Sequence, residues 1–223
     1  MGLGGWPFKS WSEGLSRAAS SPVDRAARIP GVDGPGLTLL PTTIGTCAVA
    51  WRGDVIVGVA LPEADDAATE ARLRRAVAGV ERATPPPVVR DALDGIVALL
   101  AGEPVDLSGV AVDVPHDSDF TRRVHEVVRS IPPGATLTYG QVAERVGEPG
   151  GAQAVGRAMG SNPVPIIVPC HRVVGAGGRP VGFSAPGGVA TKQRILRIEG
   201  AAAGGQPSLF EAAPGEPTSV VGR

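Results

Sequence analysis

The stretch Asn162-Pro163-Val164-Pro165-Ile166-Ile167-Val168-Pro169-Cys170-His171-Arg172-Val173-Val174-Gly175 constrains the fold of this chain more than any other. Prolines at 163, 165 and 169 rule out a helix, and each removes a backbone donor that a central strand needs. Val164, Ile166, Ile167 and Val168 suit a buried run. Together they predict an extended, stiffened segment that delivers Cys170 to one fixed place. A free thiol titrates near about 8.5 and is mostly protonated at neutral pH; basic surroundings raise its thiolate fraction. Cys170-His171-Arg172 offers such surroundings. Neighbours on an extended chain point to opposite faces. His171 therefore reaches Cys170 only through a tight turn or a bridging water, with a third group orienting the imidazole. Residue types alone favour a buried, inert thiol.

A chain of 223 residues has room for one large domain or two small ones. Its 32 Gly and 22 Pro point to long irregular stretches. No run of about 18 apolar residues suggests a membrane span. Met1 to Lys9 has no apolar signal region. Two cysteines, Cys47 and Cys170, make a poor disulfide framework, so a cytoplasmic location is expected. Cys47 lies in an apolar, strand-like run and reads as a packing residue. With three His and no paired Cys spacing, no metal site is read. The net charge of −1 is unevenly spread: residues 114–200 carry ten basic and six acidic side chains, and the rest eleven basic and sixteen acidic. A basic half joined to an acidic half fits a nucleic-acid face on one half only.

Residues 1–35 are rich in Gly, Ser, Ala and Pro and read as a disordered extension, in which Trp6, Phe8 and Trp11 could dock. Residues 36–115 read as an α+β domain. Leu37–Leu40, Thr46–Trp51 and Val55–Leu61 are strands, the last two joined by a turn at Arg52-Gly53-Asp54. Helices are expected over 64–82, with Ala67, Ala71, Leu73 and Val77 at helical spacing, and over 88–101, stopped by Gly102. Leu107–Val114 alternates like a short strand. A second domain covers 116–200. A helix there carries Phe120, Val124, Val127 and Ile131, capped by Asp117 or Ser118. Two short helices, 141–146 and 151–159, flank the turn Gly147-Glu148-Pro149-Gly150 and form a helix-turn-helix candidate. Gly151, Ala152, Ala154, Gly156 and Ala158 keep the second of them slim enough to approach a groove closely. A last helix runs from Val189 to Glu199, with Lys192, Arg194 and Arg197 exposed. Residues 201–223 read as a disordered tail in which Pro207-Ser208-Leu209-Phe210 could dock.

The string from Asn162-Pro163 through Ile-Val-Pro-Cys-His-Arg-Val, with Gly177-Gly178, Gly187-Gly188 and Glu199, closely resembles the active-site segment of the O6-alkylguanine-DNA alkyltransferases, also called methylated-DNA–protein-cysteine methyltransferases. The resemblance covers residues 117–200. It implies a ribonuclease-H-like N-terminal domain and a mainly helical, winged-helix-like C-terminal domain. It implies DNA repair by direct reversal: one irreversible transfer of the alkyl group from O6-alkylguanine, with O4-alkylthymine as a second candidate substrate, in duplex DNA to Cys170, by a monomer that needs no cofactor and works at the nucleoid. In that scheme Glu199 orients His171, which deprotonates Cys170 through water. Tyr139 donates a proton to the leaving guanine, and Asn162 holds the turn beneath Cys170. The carbonyls of Cys170 and Val173 read the exocyclic amine. Phe183 and Ser184 form the far pocket wall, where this chain is about one residue longer than the family pattern. Ala152, Gln153, Ala154, Gly156 and Arg157 belong to the helix that enters the minor groove. Gln153 stands where the family has an Arg that fills the gap left by the flipped nucleotide; Arg157, one turn on, is a possible substitute. His125 replaces a usual Trp and reads as a packing residue. The alternatives are a non-catalytic or weakly catalytic alkylated-DNA-binding protein, an alkylation sensor, and a Cys-His hydrolase.

Overall fold

The computed structural model describes residues 35–201. The expectations for the terminal stretches, including Trp6, Phe8, Trp11 and Pro207–Phe210, lie outside the described residues. Three strands, β1 (Gly36–Thr42), β2 (Gly45–Arg52) and β3 (Val55–Ala60), pair antiparallel in succession. A short β4 (Glu81–Arg82) adds in parallel beside β1, giving the order β3-β2-β1-β4. β2 is an unbroken apolar run because both of its faces are covered. Cys47, Val49 and Trp51 enter the larger core, while Ala48 and Ala50 enter a smaller one. Cys47 is a buried packing residue, as read, and burial pushes its thiol up to about 11.

Helix α1 (Asp66–Ala76) covers the smaller core, placing Leu73 against Val57 and Val80. It is shorter than the sequence period suggested. The chain leaves it at Val77, turns at Gly79 with φ +73°, and returns as β4. A left-handed residue such as Gly79 ends a helix at little steric cost. Its inward residues are Thr69 and Leu73, while Ala67 is exposed. Helix α2 (Pro87–Leu100) starts with Pro at its first turn and covers the other sheet face with Val89, Leu93, Ile96 and Leu100. The strand expected over Leu107–Val114 is reduced to one bridge, Val112 against Ile56, fixed by Ile56 N–H to Ala111 O and Asp113 N–H to Ile56 O.

Helix α3 (Asp119–Arg129) is capped by Ser118, whose hydroxyl accepts from Thr121 N–H. Strand β5 (Leu137–Thr138) leads directly into α4 (Tyr139–Arg145), where Thr138 and Gln141 form a reciprocal capping box. After a turn, α5 (Ala152–Gly160) packs on both α3 and α4. Strand β6 (Val173–Val174) pairs in parallel with β5, and α6 (Gly188–Ile198) closes the described chain. One continuous apolar cluster holds the sheet, α2 and the helices from α3 onward, so the C-terminal elements share a core with the N-terminal sheet. Arg194 of α6 also donates to Thr43 O and Ile44 O in the β1–β2 turn. Among the described residues no helix is long and apolar enough to cross a membrane.

Candidate active site

The proline-rich segment is not extended. It folds into a compact loop in which Val168 N–H reaches Val164 O at 2.9 Å and Pro165 bridges to Val168. Ile166 sits at φ +75°, a conformation that costs a β-branched residue about 1–3 kcal/mol. The surroundings determine it. Asn162 donates from Nδ2 to Val168 O at 2.8 Å and accepts Val164 N–H on Oδ1 at 3.1 Å. Pro163 O accepts Val59 N–H at 2.9 Å, so the loop hangs on the free edge of β3. Asn162 thus ties together the loop that leads into the cysteine.

Cys170 opens a single 3₁₀ turn, Cys170–Arg172, which is the tight turn that the sequence argument required. The thiol is 7 % exposed at the base of a cavity of about 520 Å³. β5–β6 pairing brings Tyr139, first residue of α4, to the same cavity. The first turns of α5 contribute Ala152, Gln153 and Gly156. Phe183 and Ser184 also line the cavity, and Ser184 donates to Gly160 O at 3.2 Å. Three lining residues were missed: Met159, Gly160 and Gly182. Gly182 is at φ +57°, and a Cβ there would stand 3.2 Å from the Tyr139 hydroxyl. Ala154 and Arg157 lie on α5 away from the cavity; Arg157 is exposed.

His171 is 0 % exposed and meets Glu199 Oε1 through Nε2 at 2.9 Å. Its Nδ1 has no hydrogen-bond partner among the described residues. Burial lowers the imidazole's pKa, against the opposing pull of Glu199, so the ring is neutral at neutral pH. A neutral ring that donates from Nε2 leaves Nδ1 with a lone pair able to take a proton. Burial alone would raise the Glu199 carboxyl. Hydrogen bonds from His171 and Arg172 outweigh it and hold the group at about 2. Arg172 donates to Glu199 from Nε at 2.9 Å and Nη2 at 2.7 Å, and to Ile131 O from Nη1 at 2.5 Å.

Two sequence expectations need correction here. Arg172 does not lower the cysteine's pKa, because its charge is paired with Glu199. Burial raises the Cys170 thiol, and the Asn162 hydrogen bond and the Lys192 charge pull against that. Lys192 is not exposed: it is fully buried, and Nζ donates to Val173 O at 2.5 Å and Val181 O at 2.8 Å. Burial lowers it to about 8. Lys192 therefore occupies the Val173 carbonyl and ties the pocket wall at 181–182 to β6. Only its helical phase, three residues before Ile195 on α6, could have suggested an inward position. The Tyr139 hydroxyl lies 3.2 Å from both Val181 O and Gly182 O. Burial raises its pKa and the Cys170 charge adds to that, so the phenol keeps its proton. His125 is buried in packing, with Nε2 3.3 Å from Ala158 O.

A family profile described as the DNA-binding domain of 6-O-methylguanine DNA methyltransferase matches residues 119–201. The methylated-DNA–protein-cysteine methyltransferase of Mycobacterium tuberculosis is 42 % identical over 120 residues, covering 54 % of this chain and 70 % of that protein. The chain belongs to the methylated-DNA–protein-cysteine methyltransferase family. Its relative of the same name in Methanothermobacter thermautotrophicus is 40 % identical over 123 residues, 55 % of this chain and 68 % of that one. The fold is similar to that of Mycobacterium tuberculosis OGT solved in complex with DNA, with a TM-score of 0.61 and 32 % identity over 74 % of this chain and 92 % of that one. The architecture of this chain is mixed α+β, a small sheet joined to a set of helices.

Proposed function

We propose that this protein repairs duplex DNA by moving the alkyl group of O6-alkylguanine onto Cys170, once per chain. The observation that carries this reading is the nearly buried Cys170 at the base of an open cavity, with the His171–Glu199 pair directly behind it. Glu199 fixes the imidazole, and a water at Nδ1 relays the thiol proton. The thiolate attacks the alkyl carbon in line with the C–O6 bond. That bond's electron pair passes to O6, which takes a proton from Tyr139. The resulting thioether has no leaving group, so the chain is consumed and no cofactor takes part. The Cys170 carbonyl reads the guanine amine, and the Val173 carbonyl assists with the lone pair that Lys192 leaves free.

Extruding a base costs a few kcal/mol of unstacking and unpairing, less for a damaged pair. The helix pair α4–α5 supplies the helix-turn-helix, with Gln153 exposed at its cavity edge and Arg157 one turn on. Gln153 lacks the charge and planar stacking of a guanidinium. The Gln153→Arg variant should therefore transfer about three- to tenfold faster under single-turnover conditions. An unchanged rate and unchanged duplex affinity would remove Gln153 from this role. The domain reading that goes with this function is a ribonuclease-H-like unit over 36–115 and a winged-helix-like DNA-binding and catalytic unit over 116–200. The chain would act as a monomer in the cytoplasm, at the nucleoid.

The test is the intact mass of the full-length protein before and after excess duplex carrying O6-methylguanine, followed by peptide mapping. One methyl per chain on Cys170, with no further turnover, is the expected result. No gain, with the lesion duplex still bound more tightly than undamaged duplex, would replace the transferase reading with a binding-only one.

A further inference from the structure

Helix α6 ends in a way that fixes where the rest of the chain leaves the fold. Gly200 turns left-handed at φ +73°, and Ala201 N–H returns to Leu196 O at 2.9 Å. That closure caps the helix and seats Ala201 in a small buried cluster with Val174 and Leu196. None of the three lines the cavity at Cys170. Glu199, two residues earlier, meets His171 behind the cysteine, whereas α5, which lines the cavity, packs on α3 and α4. The chain therefore passes Ala201 at the rear of the site rather than at the cavity mouth. Beyond it, the large apolar side chains of residues 202–223 are Leu209, Phe210, Val220 and Val221, among Gly, Ala, Pro and polar residues. Such a stretch has too little apolar surface for a core of its own. Its adjacent Leu209-Phe210 pair is suited to a pocket on another protein, where a buried aromatic anchor carries much of the binding energy. Gln206, three residues before Leu209, offers an amide that both donates and accepts. Pro207 presets its own backbone for an extended peptide.

We propose that Gln206–Phe210 docks in the peptide cleft of a DNA-encircling sliding clamp and so holds this protein on duplex that is being copied. The arrangement Gln-x-Ser-Leu-Phe has the chemistry that such a cleft takes: an extended peptide, a Leu-Phe pair for an apolar pocket, and a glutamine amide for a polar rim. Pro207 occupies the second position, where it gives up a backbone donor and gains stiffness. The five-residue step from Ala201 to Gln206 reaches at most about 17 Å. The clamp would thus sit against the rear of the active site and leave the α4–α5 pair free for duplex. With both proteins on one DNA, tethering raises the local concentration of this chain at the duplex without any new contact to it. The inference goes beyond alkyl transfer and does not depend on it, because clamp binding is read without a lesion.

The experiment titrates the full-length protein with the purified sliding clamp of the same organism, by calorimetry and with no lesion present. The wild-type protein should bind, and a synthetic peptide of residues 204–211 should compete. The double variant Leu209→Ala, Phe210→Ala should weaken binding about thirtyfold, the scale of losing a buried aromatic anchor. Gln206→Ala should weaken it about fivefold. Both variants should keep the wild-type thermal midpoint. Saturation with undamaged duplex should leave the clamp affinity unchanged. No binding by the wild-type protein, or full binding by the double variant, would overturn the proposal. Loss of clamp binding on the duplex-bound protein would overturn the rear placement on which it depends. A lowered midpoint in the double variant, without clamp binding, would assign the Leu-Phe pair to a contact within this chain instead. Failure of methyl transfer in the mass test would leave clamp binding standing, so the two readings fail separately.

Discussion

The Cys170→Ala protein should take up no methyl group from an O6-methylguanine duplex at any duplex excess, and should still bind that duplex. Among the described residues, the sulfur is the only strong nucleophile at the pocket wall. Tyr139 keeps its proton, because burial and the nearby cysteine raise its pKa, and the Ser184 hydroxyl donates to Gly160 O. Cys47 sits in the core, with its thiol pushed up to about 11 by burial. Truncation at Cβ leaves the 3₁₀ turn and the Asn162 hydrogen bonds to the loop backbone in place, so the loss of stability should be about 1 kcal/mol. Intact mass and a lesion-duplex binding titration check the two halves separately. Methyl appearing on the variant would mean that another group is the acceptor. A collapse of binding would mean that the thiol shapes the pocket as well as reacting in it.

The parts of this site that were legible in the sequence are those in which residue type alone dictates the chemistry. Cys170, His171 and Glu199 stood out through the motif, and the structure brings the last two together at 2.9 Å. The apolar periods located the strands and most helices, because burial on one or both faces leaves a direct imprint on sequence. The local conformation of the proline-rich run was not legible. Three prolines argue against regular structure but do not separate an extended strand from a loop, and Ile166 at φ +75° contradicts its intrinsic preference. Arg172 and Lys192 were misread for a common reason. Cationic side chains default to solvent. Each is buried only because distant groups receive it: Glu199 and Ile131 O for Arg172, Val173 O and Val181 O for Lys192. Such partners, 11 to 41 residues away, leave no periodic trace. Likewise β4 depends on a parallel pairing with β1 across about 45 residues, which no local pattern of Glu81-Arg82 encodes.

Glu199 is where catalysis and stability meet, and substitution there should lower both. Glu199→Gln keeps the shape and removes the charge that Arg172 and His171 share. Breaking a buried ion pair by removing one partner costs about 3–5 kcal/mol, because the other charge is left uncompensated. A denaturant midpoint should register that loss. The transfer rate should fall about a hundredfold, the scale of a general base that has lost its orientation. The pH dependence has a definite sign. Both groups have depressed folded-state values: His171 through burial, and Glu199 at about 2 through its hydrogen bonds. Each therefore stabilises the fold above its unfolded value and loses that contribution as pH falls. The His171 contribution fades below about pH 6.5 and the Glu199 contribution between about pH 4.5 and 2. In Glu199→Gln the lower limb of this acid loss should disappear. The double variant Arg172→Met, Glu199→Gln separates the two roles. With no orphaned charge it should regain much of the stability, while the transfer rate stays low because His171 still lacks its carboxylate. Recovery of the rate along with the stability would show that Glu199 serves the fold alone.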